Sequence, residues 1–483
     1  MAAILFAFIP SPNCPSAQEV PATEILSFSL ENGMEVILLP QPESTEVSLD
    51  IVFRGGAEAQ SKSTAGLFSL LEQVMLRGVA SEPGEPEPEG AVEALDAIAI
   101  GGGTERDRFG ISLLLDPGMT AQGLDTIAYL FSGLRLETAL SDPTALEKAK
   151  TASLARIRAE VGISEKVFEA AMAKKLFSVA PWRFDVAGSE GNIKSATAEG
   201  LKSLAAAWLV PNNAILVVAG MFSPEETRTQ IKKAFSSWKK AADPWKTPFA
   251  PFPKPGVTRP SLMIFADASI QPGQALIEIR YRGPDAASNR SAAAEIWAEM
   301  ASQPGSRLGL ALAKGLPKAS APSSVSVRYL PSRSASWFSV SARVMIAAKE
   351  NLADTALNFK EIVRGSEMYA MKTNLSYFTP KEYENAKTAL QKKRADKLDS
   401  LKEAGAALAR EWVLGGSQWP QLWATRIAAV TNKDITAFAD EYFMKNLEVV
   451  AVHLEPSDYA ARKKSFDTYG FEIITAQNAF WWK

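Results

Sequence analysis

Ser69, Glu72 and Gln73 lie inside an apolar run from Gly66 to Gly78, at a spacing of three and four residues. That spacing puts all three on one face of a helix, with the carboxylate flanked by a hydroxyl and an amide. A carboxylate set between two imidazoles on such a face can act as general base on a zinc-bound water. The imidazoles are missing here, because the chain has one histidine, His453, far away near the C-terminus. A serine hydroxyl and an amide oxygen are poor zinc ligands beside imidazole. The single cysteine, Cys14, permits neither an intramolecular disulfide nor a cysteine-rich metal site. Nucleophilic catalysis also lacks a Ser/His/Asp or Cys/His constellation. The face therefore carries a base without a metal to work on, and neither metal nor cofactor is expected.

The elements that must position this face read as a mixture of hairpins and long helices. Ile25 to Leu30 and Met34 to Leu39 flank Glu31-Asn32-Gly33, which reads as a β-hairpin. Val47 to Phe53 alternates like a third strand and ends at Gly55-Gly56. Helical patterns start near Ser63 and Gly90, a strand is expected over Phe109 to Leu115, and another helix near Thr120. Gly101-Gly102-Gly103 lacks a following Lys-Ser/Thr, so it reads as a turn and not as a phosphate loop. The acidic stretch Glu82 to Gly90 reads as a surface loop. The fold class is α+β, with helices on one face of a mostly antiparallel sheet.

This arrangement occurs twice. Asp142-Pro143 and Thr379-Pro380 both open long amphipathic helices with an N-cap and a proline at the first helical position, 237 residues apart. A second pair of helix-then-strand segments, Leu201 to Ala219 and Ile435 to Leu454, recurs at nearly the same offset. Such an offset implies duplication of a whole domain, not a short-period solenoid. The prolines of Ala241 to Pro260 deny that stretch helix and ladder bonds and mark an interdomain linker. The expected organisation is a signal-like segment over 1–23, a first domain over 24–240, the linker over 241–260 and a second domain over 261–475.

Bulk properties exclude several functions. With 52 basic and 54 acidic residues, the net charge of −2 gives no footprint for nucleic acid or an anionic membrane. The basic stretch Lys387 to Lys397 reads as a solvated helix face. No run reaches the ~20 apolar residues of a membrane span. Met1 to Pro10 is a short apolar run, and the small residues before Gln18 resemble the end of a secretory signal, though the basic n-region is missing. Export to a periplasm is the expectation, with a cytoplasmic location as the alternative.

Taken in order, these motifs resemble the pitrilysin/insulinase zinc peptidases, most closely the short two-domain members of the mitochondrial-processing-peptidase type. The resemblance runs from about Ile25 to Glu455. It is carried by Leu30 to Val36, Phe53 to Gly56, Gly66 to Gly78, Gly102 to Arg108, Gly188 to Ile193, and Pro211 to Asn213 with its strand. Active members carry His-x-x-Glu-His, and the resemblance lays the histidines on Ser69 and Gln73 and the glutamate on Glu72. It lays the third ligand, a glutamate, on Arg156, with Glu160 one turn away. The substrate-holding Arg and Tyr of the second domain fall on Leu312 and Lys318. Glu72 is expected to bond locally, with Arg156 as its partner. The resemblance implies two similar domains forming half of a clam-shell around a peptide chamber. It implies a non-catalytic subunit that pairs with an active zinc peptidase or with a second copy of itself and meets peptide or unfolded polypeptide. The alternative is an independent peptide-binding or assembly protein.

Overall fold

The computed structural model describes residues 25–76, 98–131, 133–177, 181–245, 260–316, 325–346 and 351–482. The signal-like segment, the acidic loop, the helical pattern starting at Gly90, Lys318 and most of the proline-rich linker lie outside the described residues.

Two six-stranded sheets organise the chain. The first contains β1 (Leu26–Ser29), β2 (Glu35–Pro40), β3 (Val47–Arg54), β4 (Ala99–Thr104), β5 (Arg108–Leu115) and β6 (Ala214–Gly220), in the order β1-β2-β6-β3-β5-β4. The second contains β7 (Ser261–Ala266), β8 (Gln274–Arg282), β9 (Ser326–Leu330), β10 (Trp337–Met345), β11 (Val449–Leu454) and β12 (Glu472–Ile474), in the order β12-β7-β11-β8-β10-β9. The run β2-β6-β3-β5-β4 of the first sheet is repeated as β7-β11-β8-β10-β9 in the second, so the duplication is visible in the topology. The β1–β2 hairpin turns at Gly33, whose φ of 87° lies in the left-handed region. Both sheets are mixed: β2–β6, β7–β11 and β7–β12 are parallel and the other pairings are antiparallel.

Helices matter here for what they position. In the first half α1 (Leu67–Leu76) packs under the sheet, and α2 (Pro143–Val161) starts at Asp142, whose side chain accepts from Thr144 N. The next helix, α3 (Ser164–Leu176), packs against the second sheet. In the second half α4 (Ser291–Ser302) is the counterpart of α1, followed by α5 (Arg307–Gly315). The helix α6 (Pro380–Asp399) opens on a reciprocal capping box between Thr379 and Glu382. It leads into α7 (Leu401–Gly415) and α8 (Trp419–Ala429).

The α+β class with helices packed against each sheet is as expected, and the exchange between halves adds to it. The other face of each sheet is crossed by a helix from the opposite half. Leu408, Trp412 and Val413 of α7 pack on Ile37, Val52 and Val217 of the first sheet. Val167, Phe168 and Ala171 of α3 pack on Met263, Phe265 and Val449 of the second. The reason is in the strands: every residue of β6 and of β11 is buried. A strand that is apolar on both faces needs cover on both.

Candidate functional site

The predicted face forms as expected on α1, but its bonding differs from expectation. Glu72 is buried, and its Oε2 accepts from Thr104 N and from Thr104 Oγ1, each at 2.8 Å. Its partner is therefore the last residue of β4 and not Arg156. Arg156, on α2, donates through Nε to Glu160 Oε1 at 3.1 Å and through Nη1 to Ser69 Oγ at 3.2 Å. Gln73 is half-buried beside them. Packing of α2 on α1 brings Arg156 within bonding distance of Ser69, while Glu72 is taken up by Thr104.

Gly101-Gly102-Gly103 is a strand and not a turn. It lies in β4, at the outer edge of the sheet. A Cβ at Gly102 would collide with the backbone of Gly110 and Ile111, and its φ is 129°. Glycine is needed there for close approach of β5.

A cleft of about 370 Å³ opens along this edge, lined by Glu72, Gly102, Thr104 and Arg156, with Asp50 beneath and Ala406 and Ala409 of α7 across from it. Asp50 accepts from Ser48 Oγ at 2.6 Å and from Ser112 Oγ, and burial pushes its carboxyl above the usual range. The cleft continues past Arg156 into a second hollow of about 310 Å³ lined by Glu160, Lys166, Asp185 and Phe480. There Arg106 is half-buried and donates to the Trp182 carbonyl, and burial pushes Asp185 up to about 7.

These groups do not fit the zinc that the fold family implies. The oxygens and nitrogens gathered at α1 and α2 belong to a hydroxyl, an amide, a guanidinium and two carboxylates, of which Glu72 is held by Thr104 and Glu160 by Arg156. The guanidinium is a fixed cation whose Nη1 is already on Ser69 Oγ. Among the described residues, no three His, Cys, Asp or Glu side chains converge as a metal site requires.

The other predicted residues lie elsewhere. Leu312 is fully buried in α5 within the second core, and Lys318 lies outside the described residues. His453 is packed in the central strand β11, 4.1 Å from the Phe168 ring and 3.8 Å from Asp267. Sequence reasoning missed Thr104 and α7. A glycine run ending on a hydroxyl residue was the signal for the first. The small-residue run Ala404 to Ala407 was the signal for the second.

Residues 195–390 match the family described as Peptidase M16 inactive domain. The fold is shared with a protease from Helicobacter pylori, at 16% identity and a TM-score of 0.69 over 89% of this chain and 99% of that one. The inactive-domain match and the shared fold fit a non-catalytic pitrilysin-type M16 family member. The M16 inactive domain from Pseudomonas fluorescens aligns at 16% identity and a TM-score of 0.66, over 89% of this chain and 97% of its own. The periplasmic protease PqqL from Escherichia coli aligns at 15% identity and a TM-score of 0.67, over 93% of this chain but 50% of that one. No curated protein matches this chain in sequence. Among the described residues no helix is long and apolar enough to cross a membrane.

Proposed function

We propose that this chain is the non-catalytic half of a clam-shell whose other half is an active zinc peptidase, the two enclosing a chamber that holds peptides. The observation that carries this reading is the Arg156–Ser69 bond: a guanidinium stands where a metal ligand would be needed. In this reading Ser69 and Gln73 replace the two histidines, Arg156 replaces the third ligand, and Leu312 and Lys318 replace the substrate-holding Arg and Tyr. The domains span 24–240 and 261–475, joined by 241–260. A half-length match to PqqL supports a half that works with a second half.

The free edge of β4 supplies a place for an extended peptide. Among the described residues it has no outer neighbour, and Ile98 and Ile100 beside it are 54% and 36% exposed. Backbone pairing along such an edge binds peptides with little regard to sequence. This chain would then shape the chamber while its partner supplies zinc and the general base. The described location of PqqL and the apolar run near the N-terminus support a periplasmic site of action.

Co-purification from the native source with mass spectrometry tests this. The expected result is a stable complex with a homologue that carries His-x-x-Glu-His, burying more than ~1,000 Å². Isolation as a monomer with no such homologue attached would overturn the pairing and leave an independent peptide-binding or assembly protein.

A further inference from the structure

The duplication places a second cleft in the C-terminal half, on the other side of α7. Ala406 and Ala409 of that helix line the first cleft, and Ala407, Arg410 and Glu411 line the second. The second cleft measures about 280 Å³ and is closed by α4, α6 and α8. Trp419 and Trp423 of α8 form one wall. That volume suits one residue of a peptide, not a large ligand.

Charge is arranged unevenly around it. Glu411 is taken up by Arg394, through Nε at 2.7 Å and Nη2 at 2.9 Å. Lys393 is taken up by Glu299 at 2.6 Å. Glu295 accepts from Trp423 Nε1 at 2.8 Å, and burial pushes its carboxyl up to about 7. Arg410 makes a single bond, from Nη2 to the Pro331 carbonyl at 3.3 Å. Lys397 makes no ion pair or hydrogen bond among the described residues. Lys397 thus has no partner among the described residues and Arg410 holds only a carbonyl. The aromatic wall beside them carries Arg394, 5.5 Å from Trp423, and Arg426, 5.3 Å from Trp419, and the neighbouring carboxylates are already paired or buried. Lys397 is exposed and Arg410 half-buried, and both line the tryptophan-walled cleft.

We propose that this cleft binds a peptide carboxylate, with Lys397 and Arg410 gripping the anion and Trp419 and Trp423 packing against the residue that bears it. The inference rests on the reading of this chain as a peptide-holding half. Guanidinium and ammonium groups beside aromatic rings suit a carboxylate attached to an apolar body. The geometry also sets a length. A helix is ~10 Å across and an extended chain covers ~3.3 Å per residue. About three or four residues therefore cross α7 from the β4 edge to the cationic cleft.

Three fluorescein-labelled decapeptides of Ala, Ser and Phe distinguish the outcomes by anisotropy with the full chain. One has a free C-terminus and no acidic residue, one is the same peptide amidated, and one is amidated with an internal glutamate. The free acid is expected to bind at least tenfold tighter than the plain amide. The Lys397→Gln/Arg410→Gln variant should erase that difference while leaving the affinity for the amide unchanged. Both positions are at least partly solvent-exposed, and retention of the amide affinity reports that the variant is folded. Tight binding of the glutamate peptide would assign the grip to a side-chain carboxylate as well as to a terminal one. Equal binding of all three peptides, or a difference that survives in the variant, overturns the inference alone. Failure of every peptide to bind overturns it together with the peptide-holding reading.

Discussion

Arg156 and Lys393 stand 237 residues apart, which is the spacing of the repeat. Each reaches from the long capped helix of its half onto the buried helix beside the edge strand. Arg156 Nη1 meets Ser69 Oγ at 3.2 Å, and Lys393 Nζ meets Glu299 Oε2 at 2.6 Å. In each half a side chain of that buried helix also grips the backbone of the edge strand. Glu72 accepts from Thr104 N at 2.8 Å in the first half. In the second, Ser302 Oγ donates to Val327 O at 3.0 Å and accepts from Val327 N at 3.1 Å. The N-terminal cleft thus has the bonding plan of its C-terminal counterpart. Polar groups committed to holding a strand and a helix are not available to a metal.

The exchanged helices show a contrast in the same strands. Asp50 of β3 and Glu278 of β8 are buried acids beneath them. Over Asp50, α7 comes close enough that a Cβ at Gly405 would collide with the carboxylate. Over Glu278, α3 instead sends Glu169 to Arg280, which bonds it at 2.8 Å through each of two nitrogens and also bonds Glu278. One helix docks by close approach and the other by a charge triad.

The largest expected effect separates those two modes. Gly405→Val should cost roughly 3 kcal/mol, because the new side chain meets the Asp50 carboxylate, itself held by Ser48 and Ser112. Glu169→Ala should cost about 1–2 kcal/mol, since Arg280 keeps Glu278 as a partner. Urea unfolding with a common m-value checks both. Equal costs would mean that the helices dock alike.

The junction between the halves should respond to pH. Glu58, in the turn after β3, faces Arg333 at 3.4 Å, Ser334 at 3.0 Å, and Asp107 and Arg106 behind them. Burial outweighs Arg333 and pushes its carboxyl from 4.5 up to about 8. The folded state therefore keeps this proton longer than the unfolded chain does. The associated stability is complete below about 4.5 and is lost as pH rises to about 8. Asp185, pushed from 3.8 to about 7, acts in the same direction. Unfolding at pH 5 and pH 8.5 should differ by on the order of 2 kcal/mol, and Glu58→Gln should flatten the slope. A stability that rises over this interval would contradict the burial argument.

Smaller effects compare the two edge strands. Glu72→Ala removes two bonds to Thr104 and should cost about 2 kcal/mol, with faster amide exchange confined to β4. Ser302→Ala should cost about 1 kcal/mol, with the effect confined to β9. Loss of exchange protection across a whole sheet in either variant would show that the grip is not local.

Much of the fold was legible because its signals are local. Asp142-Pro143 and Thr379-Pro380 cap their helices as the residues imply, and the hairpin around Gly33 is where Asn-Gly places it. The exchange of α3 and α7 was not legible, because it depends on which surface a helix meets more than 80 residues away. The apolar runs of β6 and β11, the latter broken only by His453, carried the hint. At the cleft, the helix face of Ser69 and Glu72 followed from spacing alone. The partner of Glu72 did not, because glycines that read as a turn instead let β4 lie tight against β5.

Zinc content after dialysis tests the central claim most directly, measured side by side on the native chain and on Ser69→His/Gln73→His/Arg156→Glu. The cleft described here predicts no stoichiometric zinc in the native chain and stoichiometric zinc in the triple variant, whose helix spacing already places both imidazoles on one face. Stoichiometric zinc in the native chain, released by a chelator together with any peptide cleavage, would contradict it.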